Sequence, residues 1–153
     1  MLKRTLPAVA AALLVVSSPA RADTLTALNA ARGAAGAPPL RADPRLARAA
    51  RAHSRDMVAR RYFAHVTPAG STLSTRVIRS GWTHGRRRWR VGETLAWGSG
   101  RFSTPDAIVA AWLDSPAHRR IVLARRWRVV GIGVASGTPF ATPGATFTAD
   151  FGT

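Results

Sequence analysis

The chain has 153 residues, no cysteine, and 23 basic against seven acidic residues, which gives a net charge of +16 at pH 7. Without cysteine, disulfides and thiolate chemistry are excluded, and the length suits one domain that buries roughly two-thirds of its unfolded surface. The charge favours anionic partners such as envelope polymers, phospholipid headgroups or nucleic acid. A bias in base composition that makes arginine abundant would explain the charge equally well.

The N-terminal residues resemble a secretory signal. Lys3 and Arg4 give a positive start, residues 6–16 are apolar, and Ala20-Arg21-Ala22 has the small-residue pattern of a cleavage site. We predict a signal peptide at 1–22 and a single secreted or extracytoplasmic domain at 23–153, with a net charge of about +13. Retention as an N-terminal anchor is the alternative. No later run reaches about 18 apolar residues, so we expect no transmembrane segment in the mature chain.

Helices are predicted along the first half of the chain. Residues 25–32 form a helical stretch that ends near Gly33 or Gly36. Asp43 followed by Pro44 is a typical helix start, and apolar residues at 3.6-residue spacing continue this helix to about Arg61. Ser71 or Thr72 begins a shorter helix, which is expected to end at Gly81.

Two further helix starts and the strands follow. Thr104-Pro105 begins a helix, and Ser115-Pro116 begins a short helix or turn. Residues 82–100 are typical of a loop and a strand, and residues 129–135 and 146–151 are strand candidates joined by a glycine- and proline-rich turn. Early helices and late strands indicate an α+β layered domain.

Three polar residues stand in distinctive settings. Glu93 is the only glutamate, His65 follows an aromatic pair, and His118 follows Ser115-Pro116-Ala117. His118 is at the third position of its predicted helix, where the positive end of the helix dipole would disfavour the imidazolium form. Two histidines and a glutamate are a known zinc ligand set, and a neutral imidazole can also act as a general base. The alternative is that all three are structural residues with satisfied hydrogen bonds.

The remaining histidines and tryptophans have plainer interpretations. His53 lies on the apolar face of the Asp43 helix and is expected to be a satisfied core histidine, and His84 is expected in an exposed loop. Residues 82–90 interleave arginine with tryptophan, which favours a solvated basic loop, so nucleic acid is not an expected partner. Trp97, Trp112 and Trp127 are expected in the core.

Short motifs occur in a consistent order along the chain. They are Leu-Asn-Ala-Ala-Arg at 28–32, Pro-Leu-Arg-Ala-Asp at 39–43, Tyr-Phe-Ala-His at 62–65, Gly-Glu-Thr-Leu-Ala at 92–96, Trp-Leu-Asp-Ser-Pro-Ala-His-Arg at 112–119, Gly-Ile-Gly-Val at 131–134 and Asp-Phe-Gly at 150–152. Together they resemble the CAP superfamily of cysteine-rich secretory proteins, antigen 5 and pathogenesis-related 1, also called SCP domains, in its short bacterial secreted form. The resemblance covers nearly the whole mature chain.

This resemblance implies a three-layer α-β-α sandwich with a central antiparallel sheet. It implies that His65, Glu93 and His118 converge in one surface cleft, and that His65 and His118 are the residues through which a divalent metal such as zinc would bind. The chain departs from the family pattern because Ser115 stands where a second acidic residue is expected and Thr94 stands where asparagine usually follows the glutamate. We therefore expect Glu93 to act without a second carboxylate.

The expected protein is an exported bacterial binding module, monomeric, whose cleft takes a divalent metal or an apolar, lipid-like ligand. One alternative is a metal- or acid/base-dependent hydrolase outside the cell. Another is an electrostatic adhesion module for anionic cell-envelope polymers. Ser115 is better explained as a helix cap than as a nucleophile, so the sequence favours a binding protein over an enzyme.

Overall fold

A computed structural model describes residues 19–153. Most of the predicted signal peptide, residues 1–18, lies outside the described residues. Within 19–153, no helix combines the length and the apolar character needed to cross a membrane.

The described chain contains five helices, one 3-10 turn and four strands. They are α1 (Pro19–Ala34), β1 (Arg41–Ala42), α2 (Pro44–Arg60), α3 (Leu73–Arg79), β2 (Val91–Gly98), a 3-10 turn (Gly100–Ser103), α4 (Pro105–Asp114), α5 (Pro116–Val122), β3 (Val129–Ser136) and β4 (Ala145–Gly152). The strands form one sheet in the order β1-β3-β4-β2. The β3–β4 and β4–β2 pairs are antiparallel, as predicted for the central sheet, whereas the short β1 runs parallel to β3.

Helices cover both faces of the sheet, so the predicted three-layer α+β fold is confirmed. The α2 backbone lies directly against β3, because a Cβ on Gly131 would lie 2.0 Å from the carbonyl carbon of Leu46. On the other face, buried side chains of β3 and β4 pack with α1, α4 and α5. This second face holds the larger apolar core and includes Trp112 and Trp127, as predicted.

Local capping explains where most helices begin. Asp43 accepts hydrogen bonds from the Arg45 and Leu46 amides, at 2.8 Å and 3.0 Å. Thr72 and Thr104 cap α3 and α4 in the same way, so these three predicted starts are confirmed. Ser115 occupies the N-cap position of α5, but its side chain makes no capping hydrogen bond.

Two sequence-based expectations differ from the structure. Helix α1 is described from Pro19 and includes residues before the predicted helical stretch, so the proposed cleavage site after Ala22 lies within a helix. The prediction of a buried Trp97 is wrong, since 42% of this residue is exposed. Trp97 lies one residue before the end of β2 and packs edge-on against the exposed Phe140, with ring centroids 5.0 Å apart.

Candidate functional site

Glu93 is the third residue of β2 and lies on the sheet face covered by α2 and α3. Its side chain is 2% exposed, and both carboxylate oxygens are occupied. Oε1 lies 2.7 Å from Nδ1 of His65, and Oε2 lies 2.5 Å from Nη2 of Arg76. Because an ionised carboxylate can only accept hydrogen bonds, Nδ1 of His65 carries the proton in this contact.

Arg76 joins α3 to the loop that carries His65. Its Nη1 donates to the backbone carbonyls of His65, at 2.8 Å, and Ser71, at 3.1 Å. The same guanidinium therefore pairs with Glu93 and holds both ends of the loop. Thr72 begins α3 with a side-chain cap, which fixes the helix that presents Arg76.

A second carboxyl group faces Glu93 from the neighbouring strand. Asp150 of β4 is the register partner of Glu93, and directly paired residues point to the same face of a sheet. Asp150 is fully buried, and neither side-chain oxygen meets hydrogen-bond geometry with another described residue. The expectation that Glu93 acts without a second carboxylate is therefore wrong. The second carboxyl group comes from Asp150 through the strand register, and not from the position that Ser115 occupies.

The two carboxyl groups are driven toward opposite protonation states. Burial raises the pKa of Asp150 well above its ordinary value, and the adjacent Glu93 charge raises it further. Burial also acts to raise the pKa of Glu93, but the His65 hydrogen bond and the Arg76 charge outweigh it, and the pKa of Glu93 falls below its ordinary value. These directions favour an ionised Glu93 beside a neutral Asp150.

His118 reaches the same region from α5, on the opposite face of the sheet. Gly92 lets this side pack closely against β2, because a Cβ there would lie 2.8 Å from the Trp127 ring. Burial first, and then the nearby His65, lower the pKa of His118 and favour its neutral imidazole. The structure thus brings His65 and Glu93 into contact and places His118 within electrostatic range of His65.

The loop before His65 is anchored on α2. Nε2 of the buried His53 lies 3.0 Å from the carbonyl oxygen of Ala64, and the Tyr62 hydroxyl donates to Asp56 at 2.6 Å. The prediction that His53 is a satisfied core histidine is therefore confirmed. This second anchor limits how far His65 can move relative to β2.

The chemistry of the candidate site centres on imidazole nitrogen. When Nδ1 of His65 carries only the proton that bonds to Glu93, Nε2 is the acceptor or ligand atom of a side chain that is 55% exposed. Among residues 19–153, no group of three or more histidine, aspartate or glutamate side chains is arranged to hold a metal ion. His65 and His118 could therefore supply two protein ligands, with any remaining positions left to water or a bound molecule.

Sequence reasoning missed Arg76 and Asp150. Arg76 is one of 22 arginines and follows an unremarkable helical pattern. Asp150 offered a clearer indication, since an aspartate inside an apolar strand must be paired, neutral or functional. Only the β2–β4 register identifies Glu93 as its neighbour.

Comparison with known proteins identifies the family of this chain. Residues 25–151 match the sequence profile of CAP, the cysteine-rich secretory protein family. The chain therefore belongs to the CAP family. It is 36% identical over 112 residues to the uncharacterized protein YkwD of Bacillus subtilis (strain 168), a match covering 72% of this chain and 40% of YkwD.

Solved structures agree with this assignment. An extracellular SCP-domain protein from Bacillus anthracis str. Ames superposes with a TM-score of 0.69 at 27% identity, covering 86% of this chain and 39% of that protein. An outer surface protein of Borrelia burgdorferi gives a TM-score of 0.70 over 88% of this chain and 95% of its own, and at 19% identity it supports the fold alone. The chain thus spans less than half of YkwD and of the B. anthracis protein.

Proposed function

We propose that the chain is an extracytoplasmic binding module whose cleft holds a divalent metal such as zinc between His65 and His118. The observation that carries this proposal is the contact between Glu93 and Nδ1 of His65, with Arg76 fixing the other carboxylate oxygen. A histidine ligand commonly donates its second ring N–H to a carboxylate, which fixes its tautomer and orientation. Glu93 would then orient His65 as a metal ligand and would not itself bind the metal.

The same geometry predicts a modest, exchangeable site. Two imidazoles leave coordination positions open, so an additional ligand can bind the ion directly. A bound divalent ion would supply a Lewis-acidic centre at the cleft surface. An apolar, lipid-like ligand remains a prediction, supported by Phe63 and Val66, which flank His65 in sequence and are 41% and 49% exposed.

Zinc titration by calorimetry tests the metal proposal. We expect His65→Ala and His118→Ala to abolish measurable binding, and Glu93→Gln to weaken it by about 10- to 100-fold. His84→Ala is the matched control, because His84 is an exposed histidine outside the cleft. Zinc binding that is unchanged in both cleft-histidine variants would contradict the proposal.

Export is supported by the extracellular and surface origin of the similar structures and by the N-terminal sequence. It predicts a mature domain of residues 23–153. N-terminal sequencing of the protein recovered outside the cell should begin at Asp23, and recovery of the intact N-terminus there would instead favour the anchored alternative.

A hydrolase is a second candidate because the His65–Glu93 pair has the arrangement of a general base and its orienting carboxylate. In that case His65 would activate water, since both oxygens of Glu93 are already engaged. Peptide, ester and wall-derived substrates should be screened with the wild type and with His65→Ala. Turnover that is lost in this variant, with folding intact, would favour the enzyme over the binding module.

A further inference from the structure

Strand β3 has a free edge on the side of the sheet away from the cleft. The strand order β1-β3-β4-β2 places Glu93 on one edge strand and β3 beside the opposite edge. Strand β1 covers only Val129 and Val130, after which Asp43 leads into α2. In the described part of the chain, residues 132–136 pair with β4 on one side and have no strand on the other.

The free edge presents backbone hydrogen-bonding groups. The carbonyl of Val130 accepts from the amide of Asp43 at 2.9 Å, so Val130 directs its backbone groups away from β4. Alternate residues of a strand direct these groups to the same side, so Ile132 and Val134 offer theirs to the same edge. Residues 131–136 contain neither proline nor charge, the usual means of protecting an exposed edge.

Two depressions run along this edge. The first has a volume of about 280 Å³ and a mainly apolar lining that includes Leu25 from α1, Ala47 from α2 and Ile132 from β3. The second is lined by residues 134–136 together with Val58 and Ala59 of α2. The predicted cleavage after Ala22 would remove Arg21 and Ala22 from the wall of the first depression and would widen it.

Arginines follow the α2 side of the groove. Arg48, Arg51 and Arg55 recur every three or four residues, which places them along one side of the helix. Within residues 19–153, none of their side chains makes an ion pair. Burial, followed by the repulsion of Arg21, Arg55 and Arg48, lowers the pKa of Arg51.

We propose that this edge binds an extended acidic peptide segment of a partner protein, which adds as a strand beside β3. Its backbone would pair with Ile132 and Val134, its apolar side chains would enter the depressions, and its carboxylates would face Arg51 and Arg55. Strand addition obtains affinity from main-chain hydrogen bonds and specificity from pockets for alternate side chains. A single anionic amphiphile would use the apolar cavity but leave the backbone groups unpaired.

The probe is an eight-residue peptide of alternating glutamate and valine, titrated into the purified protein by calorimetry. Two N-methylated versions carry the methyl groups either on every glutamate amide or on every valine amide. Because one set of amides faces β3 and the other faces away, we expect one version to lose binding and the other to retain it. Hydrogen exchange at the Ile132 and Val134 amides should slow when the parent peptide binds.

A matched pair of protein variants separates this surface from general charge attraction. Arg51→Gln with Arg55→Gln should weaken binding by about tenfold or more, whereas Arg87→Gln with Arg88→Gln removes the same charge from an exposed loop and should have little effect. His65→Ala should bind the peptide normally, which keeps this test independent of the metal proposal. Equal loss in both arginine pairs would overturn the proposal in favour of nonspecific attraction. Equal binding by both methylated peptides would overturn it in favour of an amphiphile site, which titration with dodecanoate would then identify.

Discussion

Glu93 is enclosed by polar groups from separate segments of the chain. His65 lies in a loop, Arg76 on α3 and Asp150 on β4, yet all three face one buried carboxylate. A buried carboxylate is costly unless its charge is paired and hydrogen-bonded, and Arg76 together with His65 meets that need. The buried carboxylate is therefore suited to position the imidazole of His65, because its side chain is only 2% exposed.

We expect the side chain of Arg76 to be essential for the stability of the fold. Arg76→Ala leaves the Glu93 charge buried without its main partner and releases the loop carbonyls of His65 and Ser71. We expect the free energy of unfolding in urea to fall by about 3–5 kcal/mol. Arg79→Ala removes an exposed arginine from the same helix and should change it by less than about 0.5 kcal/mol. A similar, small loss in both variants would show that the Arg76–Glu93 pair adds little.

Part of the site could be predicted from composition, and part could not. Glu93, His65 and His118 stand out as candidates because their residue types are rare in this chain and their sequence settings are distinctive. Arg76 could not be separated from 21 other arginines, since only its burial makes it unusual. Asp150 could be placed only from the pairing register of β2 with β4, which are far apart in the sequence, and no local pattern encodes that register.

At the scale of elements, helix α2 and strand β3 approach as closely as their backbones allow. Gly131 and Gly133 point toward α2, and a Cβ on Gly133 would lie 2.2 Å from backbone atoms of Ala50 and Arg51. Ser54 adds a polar link by donating to the carbonyl oxygen of Gly133 at 3.1 Å. This contact fixes the position of α2, the helix that precedes the loop carrying His65.

Gly133→Ala should therefore be strongly destabilising. The new methyl group would meet backbone atoms, so α2 would have to shift away from the sheet. We expect a loss of roughly 2–3 kcal/mol or more in the free energy of unfolding by urea. Gly33→Ala is the matched control, because a Cβ there meets nothing within 4 Å and Gly33 lies within α1. That variant should gain up to about 1 kcal/mol; a Gly133→Ala protein of wild-type stability would refute the close approach.

Elements were predictable where their signals are local. Asp43, Thr72 and Thr104 identify helix starts because each side chain bonds to an amide two or three residues later. Strand β1 has only two residues and depends entirely on β3, so no periodicity could reveal it. The exposure of Trp97 likewise depends on which part of the sheet the helices cover, which is a tertiary property.

At the scale of the whole molecule, the positive charge is almost independent of pH near neutrality. Arginine supplies 22 of the 23 basic residues and stays protonated throughout, so few groups can change stability between pH 4 and 9. Burial lowers the pKa of His53 and of His118, which disfavours the folded state only as the pH falls. On the alkaline side, Asp150 is the buried acid whose ionisation opposes folding.

The Asp150→Asn variant tests this assignment across the pH range. Because the pKa of Asp150 is higher in the folded than in the unfolded chain, its contribution to stability is complete below about pH 4 and is lost as the pH rises toward the folded-state pKa. Asparagine mimics the neutral acid and cannot ionise. Urea unfolding at successive pH values should therefore show the wild type losing stability relative to Asp150→Asn by up to about 1.4 kcal/mol per pH unit above pH 4.

Asp114→Asn, which removes an exposed carboxylate, is the control and should keep the wild-type profile. Parallel profiles for the wild type and Asp150→Asn would mean that Asp150 is ionised in the folded protein, and Glu93 would then share its site with a second negative charge.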